Sequence, residues 1–321
     1  MVMLARSAED LYWVGRYLER SEQMGRIIDV IYHRLLESPE DEREACWSDA
    51  LAMLGFEQSV LKTVGLDNEA LASHCLAGAG DGSALDAVQR LRFNSRGNRE
   101  HLPIELWEEI NRLWLEFRIP DPDSMDANEW CTLLRRRCQN IVGTADATWI
   151  RTDAWMYFTI GRLHERALLT TKVLAVRHQQ HLKDRSHEWT TTLRCCSALQ
   201  AHRRQFAGYD DARSIVSLLL HSEAAPRSVN FCIRHLEESI TQLGADVSAR
   251  TRRVIGRLGA TLRFGDPFEL GDPEIDALLI EVETELRRFG AALAAEFFLL
   301  PLENGLRSLR LGAADTIGAV E

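Results

Sequence analysis

The sequence predicts an all-α protein, a multi-helix bundle formed from two internally duplicated halves packed together, and three observations carry that prediction. Helix formers dominate the 321 residues, while Gly and Pro gather in a few short clusters. Apolar residues recur at helical steps of three and four, with no convincing alternation of period two. A six-residue phrase occurs twice, as Gly15-Arg16-Tyr17-Leu18-Glu19-Arg20 and as Gly161-Arg162-Leu163-His164-Glu165-Arg166. The copies are identical at four of six positions at an offset of 146, the mark of an internal duplication.

In chain order, the first long helix is expected over residues 4–36. Leu4, Ala8, Leu11, Gly15 and Leu18 alternate steps of four and three and mark its buried stripe. Ser38-Pro39 ends it, and a loop from Gly78 to Ser83 precedes a helix carrying Arg92, Asn94, Arg96 and Arg99. Pro120-Asp121-Pro122 places the boundary between the halves near residues 120–124, giving 1–122 and 123–321. The second long helix is expected over 145–181. Ala225-Pro226 opens another helix, and Ser228 stands 145 residues after Ser83, each just beyond a loop with Gly or Pro. Gly265-Asp266-Pro267 and Gly271-Asp272-Pro273 divide the remainder. Phe297 to Leu300 is too short to span a bilayer and reads as a buried helix end.

Composition narrows the function. With 48 acidic against 38 basic residues, the net charge of -10 disfavours nucleic acid as a partner. The seven cysteines include no Cys-x-x-Cys and suggest neither a disulfide framework nor zinc. No apolar signal core and no stretch of about eighteen apolar residues occurs, so a cytoplasmic protein without a membrane partner is expected. Phosphate-binding loops, dinucleotide fingerprints and the Gly-x-Ser-x-Gly elbow are missing. His187-Glu188 lacks a zincin's second histidine, and His178 with His181 lacks a carboxylate set, so neither a metal nor a cofactor is expected.

The repeated phrase carries the chemistry. Residues three and four apart share a helix face, so Arg16, Glu19 and Arg20 project together, with Tyr12, Trp13 and Gln23 in the same arc. Arg162 and Arg166 share theirs with Trp155, Leu169 and Val173. Buried guanidinium groups need partners, and two arrangements supply them. The Arg/Glu sets can meet across a pseudo-twofold axis and neutralise each other. Alternatively, the arginines face a cleft and bind a carboxylate or phosphate, with Glu19 or Glu165 positioning an amine or moving a proton. Asn94 with Arg96, and Arg227 with Ser228 at a helix start, are further candidates for anion binding, against solvated-face and capping readings.

The opening segment, Leu4-Ala5-Arg6-Ser7-Ala8-Glu9-Asp10-Leu11-Tyr12-Trp13-Val14-Gly15-Arg16-Tyr17-Leu18-Glu19-Arg20-Ser21-Glu22, closely resembles the first helix of the bacterial alpha-E family. Arg92-Phe93-Asn94-Ser95-Arg96 resembles that family's Arg-Glu-Asn-Ala-Arg phrase, with Phe93 in place of the glutamate, and Pro226-Arg227-Ser228-Val229 resembles its Pro-Arg-Ser-Val segment. The resemblance implies an all-helical protein encoded beside, or fused to, a circularly permuted ATP-grasp protein. Some operons add a transglutaminase-like protein and a proteasome-like peptidase. ATP-grasp enzymes activate carboxylates as acyl phosphates and join them to amines. The resemblance therefore implies an accessory or substrate-presenting subunit of an amide or peptide ligase system, itself without an ATP site. A free-standing enzyme using Glu19 or Glu165 in an Arg-lined cleft, and a purely structural scaffold, are the alternatives.

Overall fold

A computed structural model describes residues 3–37, 39–78, 82–118, 126–181, 189–206, 211–244 and 247–298, and among them there are helices and loops but no strand. The expected boundary at residues 120–124, His187-Glu188 and Leu300 lie outside the described residues. The helices are α1 (Ala5–Glu37), α2 (Arg43–Leu54), α3 (Ser59–Val64), α4 (Asn68–Ala77), α5 (Ala84–Gly97), α6 (Ile104–Phe117) and α7 (Ala127–Thr148). They continue as α8 (Asp153–His181), α9 (Trp189–Cys195), α10 (Leu199–Gln205), α11 (Ala212–His221), α12 (Val229–Gln242), α13 (Ala249–Phe264) and α14 (Asp272–Leu293). A π-helical turn, Ala294–Phe298, ends the described chain and buries Phe298.

Local chemistry sets the helix starts. Asp67, Ser83, Asp126, Asp211, Ser228 and Ser248 each accept a hydrogen bond from the N–H three residues on, satisfying a donor that the first turn leaves free. Ala8, Leu11, Gly15 and Leu18 are buried along α1 as expected, whereas Leu4 is 74% exposed because it precedes the helix. The helix expected over 145–181 is two helices. Trp149 takes an extended conformation after Thr148, and α8 restarts at Asp153, an acidic residue suited to the first turn.

The two longest helices, α1 and α8, cross at the centre of the molecule. Around α1 pack α5 and α7, with α6 between those two; around α8 pack α12 and α14, with α13 between those two. The crossing is close because both motif glycines lie in it. A Cβ on Gly15 would fall 2.1 Å from the Phe158 carbonyl oxygen, and one on Gly161 would fall 2.0 Å from that of Tyr12, so only hydrogen fits at either place. Buried apolar side chains from Ala8 to Phe298 form one cluster around this pair. All seven cysteines are free and buried. Among the described residues no helix is long and apolar enough to cross a membrane.

Candidate functional site

Because the glycines let α1 and α8 touch backbone to backbone, the charged residues one turn on face the opposite helix. Glu165 of α8 accepts from Arg16 Nε at 2.5 Å and from Arg20 Nε at 2.7 Å, both on α1. Reciprocally, Glu19 of α1 accepts from Arg166 Nε and Nη2, each at 2.7 Å. Glu19 and Glu165 are both 3% exposed at the side chain, while their arginine partners keep an edge toward solvent, Arg20 most of all at 34%.

Each glutamate gains a second arginine, but from different places. Glu165 has Arg16; the residue corresponding to Arg16 is Arg162, yet the second arginine on Glu19 is Arg227, with Nη1 at 3.3 Å. Arg227 also donates to Gln23 Oε1 at 2.9 Å and to Glu22, which in turn takes Arg26; Arg26 reaches Ser197 as well. The loop before α12 makes this reach possible. Thr170 donates to the Arg227 carbonyl at 2.9 Å, and Ser228 Oγ accepts from the Phe231 N–H at 3.0 Å while donating to the Ser222 carbonyl. Ser228 is therefore a buried cap that holds Arg227 over the seam.

Electrostatics follow the pairing. Burial pushes the Glu165 carboxyl up, but Arg16 and then Arg20 outweigh it and hold the group at about 2. For Glu19, burial is likewise overcome by Arg166 and Arg227, and the carboxyl falls far below its ordinary range. Both are carboxylates at neutral pH. Beside them Tyr12 O–H, His164 Nδ1 and the Leu286 carbonyl form a chain, with distances of 2.6 and 2.8 Å. Since the carbonyl only accepts, His164 carries its proton on Nε2 and Tyr12 donates to Nδ1. Burial, then Arg16, lowers His164 to about 3, so it stays neutral. Trp13 lies beneath the Arg16 guanidinium, 4.7 Å from ring centroid to the guanidinium carbon.

The structure thus brings Tyr12, Trp13, Arg16, Glu19, Arg20, Arg162, Glu165, Arg166 and Arg227 into one seam, with Ser228 behind it. It groups Arg96 differently, in a surface pocket with Arg99, Leu102, Ile104 and Trp107, while the Asn94 carbonyl accepts from Asn98, the residue that caps the end of α5. Glu22, Arg26, His164 and Ser197 belong to the seam or its border and were not singled out from the sequence. Glu22 and Arg26 carry a readable signal, an i,i+4 pair on the Glu19 side of α1. Among the described residues, six guanidinium groups (Arg16, Arg20, Arg26, Arg162, Arg166, Arg227) surround three buried carboxylates (Glu19, Glu22, Glu165), and the exposed Asp146 adds a fourth negative charge that acts on Arg162. Glu283 acts in the same way on Lys172.

Comparison with known proteins adds the family but no activity. Uncharacterised proteins of Mycobacterium bovis and of two Mycobacterium tuberculosis strains are each 24% identical over 320 residues, covering 90% of this chain and 35% of the relative. The chain thus spans about a third of the length of the curated relatives it matches. No solved structure matches it. Residues 3–298 match the family described as a predicted alpha-helical domain with a conserved ER motif, a phrase that suits Glu19-Arg20 and Glu165-Arg166, and the chain belongs to this Alpha-E family.

Proposed function

We propose that this chain is an accessory subunit, without an ATP site of its own, that holds an anionic substrate for an ATP-grasp-type amide or peptide ligase. In such a system the ATP-grasp enzyme transfers a phosphoryl group to a carboxylate, giving an acyl phosphate and ADP. An amine then attacks the acyl carbon and phosphate leaves. Both the carboxylate and the acyl phosphate are oxyanions that guanidinium groups bind well. That role places the protein in the cytoplasm, where ATP is available.

The observation that carries the reading is that guanidinium groups outnumber carboxylates in the seam of a protein whose net charge is -10. A seam built only to join helices needs balance, because every uncompensated buried charge costs stability. The matched span being 35% of the relatives' length also supports a component that works alongside other parts. We read the packing of α5, α6 and α7 around α1, and of α12, α13 and α14 around α8, as two halves descended from one duplicated unit.

A structural role for Glu19 and Glu165 is favoured by their saturation. A carboxylate held near pH 2 by two guanidinium groups is a poor proton carrier at neutral pH, so the acid/base reading has less support. The reading is tested by coexpressing the chain with the circularly permuted ATP-grasp protein of the same organism. Co-elution on gel filtration at micromolar concentration is expected; two independent peaks would contradict a stable subunit.

A further inference from the structure

The two ends of the seam differ, and the difference concerns Arg162. At the offset of 146, the neighbours that hold Arg16 are replaced: Phe158 stands for Tyr12 and Thr159 for Trp13. Arg16 has the Tyr12 hydroxyl at 3.3 Å, the Trp13 ring and Glu165. Among the described residues Arg162 makes no hydrogen bond or ion pair and lies 5.5 Å from the Phe158 ring, while Arg166 takes both oxygens of Glu19 and Arg227 adds itself to one of them. In the other half, at the offset of 145 set by the caps Ser83 and Ser228, the place of Arg227 belongs to Gly82, which has no side chain to reach Glu165. Arg227 thus displaces Arg162 from its glutamate.

What remains at this end is a set of donors. Arg162 forms no ion pair among the described residues, and its Nε is shielded from solvent without a hydrogen-bond partner. One turn away on the same face of α8, Thr159 Oγ1 is in the same condition. Shielded donors are nearly always satisfied, so two of them one turn apart on one helix face call for a partner. Burial and Arg166 lower Arg162 to about 10, which leaves it charged at neutral pH. Asp146 on α7 is exposed and not within ion-pair distance of it.

We infer that Arg162 and Thr159, with Arg166 and Arg227 supplying positive potential, form a binding subsite for one oxyanion group, a carboxylate or a phosphate. The inference rests on the substrate-presenting reading and locates its anionic group at the α8 end of the seam. The Arg16 end, already satisfied, holds the helices together.

The test is calorimetric titration and thermal melting of the isolated full chain with inorganic phosphate and, separately, acetate, at constant ionic strength set with chloride. One of the two anions is expected to bind saturably and raise Tm, phosphate indicating a phosphoryl group and acetate a carboxylate. Arg162→Met and Thr159→Val should each weaken that binding by roughly 10- to 100-fold, the loss of a hydrogen bond to a charged group, while the surface variant Lys62→Met leaves it unchanged. Without anion, Arg162→Met should melt no lower than the wild type, because it removes an uncompensated charge. A lower Tm for Arg162→Met, an equal response in all variants, or no response beyond chloride would overturn the subsite. Binding without any effect on ligation would instead retain the subsite and reject the ligase reading.

Discussion

Gly161 of α8 sits under the backbone carbonyl of Tyr12 of α1, with room there for a hydrogen and no more. Gly15 stands in the reciprocal relation to Phe158, and the whole charged seam depends on this contact. Gly161→Ala must push the helices apart and lengthen the Arg16–Glu165 and Arg166–Glu19 pairs. A loss of about 3 kcal/mol is expected from the overpacking alone. Gly143, also helical, has open space around its Cβ direction, so Gly143→Ala should be neutral or stabilising by up to about 1 kcal/mol. Urea midpoints of the two variants provide the comparison, and equal effects would remove the close crossing from the account.

Glu165→Gln keeps the shape of the side chain but leaves Arg16 and Arg20 without a counter-charge. Removing one partner of a buried pair costs about 3–5 kcal/mol. The exposed pair Arg287–Glu283 provides the contrast, since Glu283→Gln should cost less than about 1 kcal/mol. Similar melting temperatures for the two variants would show that the seam contributes little to folding.

Tyr12→Phe tests the polar chain beside the seam. The change deletes the donor to His164 Nδ1 and the acceptor used by Arg16, and should cost about 1–3 kcal/mol. Shape is not the difficulty, because Phe158 occupies the corresponding position on α8. A melting temperature equal to that of the wild type would mean that neither bond matters to stability.

Acid should destabilise the protein in two overlapping windows. Glu165 binds its proton near pH 2 when folded and near the ordinary 4.5 when unfolded, so its contribution is complete above about 4.5 and is lost as the pH falls toward 2. His164 titrates near 3 when folded against 6.5 when unfolded. Below pH 6.5 the unfolded chain therefore takes up a proton that the folded chain refuses, and stability falls from there toward pH 3. Urea midpoints should drop steadily from pH 6.5 to 4, and His164→Gln should flatten the upper part of that slope. A midpoint constant between pH 6.5 and 4 would contradict the buried neutral histidine.

Much of this was legible in the sequence because it depends on local rules. The breaker clusters place Gly78, Ser83, Gly265 and Gly271 at helix ends, and the repeated phrase contains both Gly15 and Gly161. The break at Trp149 was harder to read, since no Gly or Pro marks it. Sequence spacing put the arginines and glutamates on common faces, but which carboxylate each arginine meets depends on the crossing of α1 with α8. His164 occupies a position of the phrase where its counterpart is Leu18, so the repeat itself concealed it. The release of Arg162 was not legible either, because it requires Arg227, on a distant loop, to reach Glu19.

The most direct measurement is ATP-dependent amide formation by the circularly permuted ATP-grasp protein, following ADP and product, with and without this chain. Product is expected to require the wild-type chain, with output much reduced by Arg162→Met, a variant whose melting temperature shows it folded. Product formed equally well without this chain would contradict the accessory role and leave the seam as the joint between two helices.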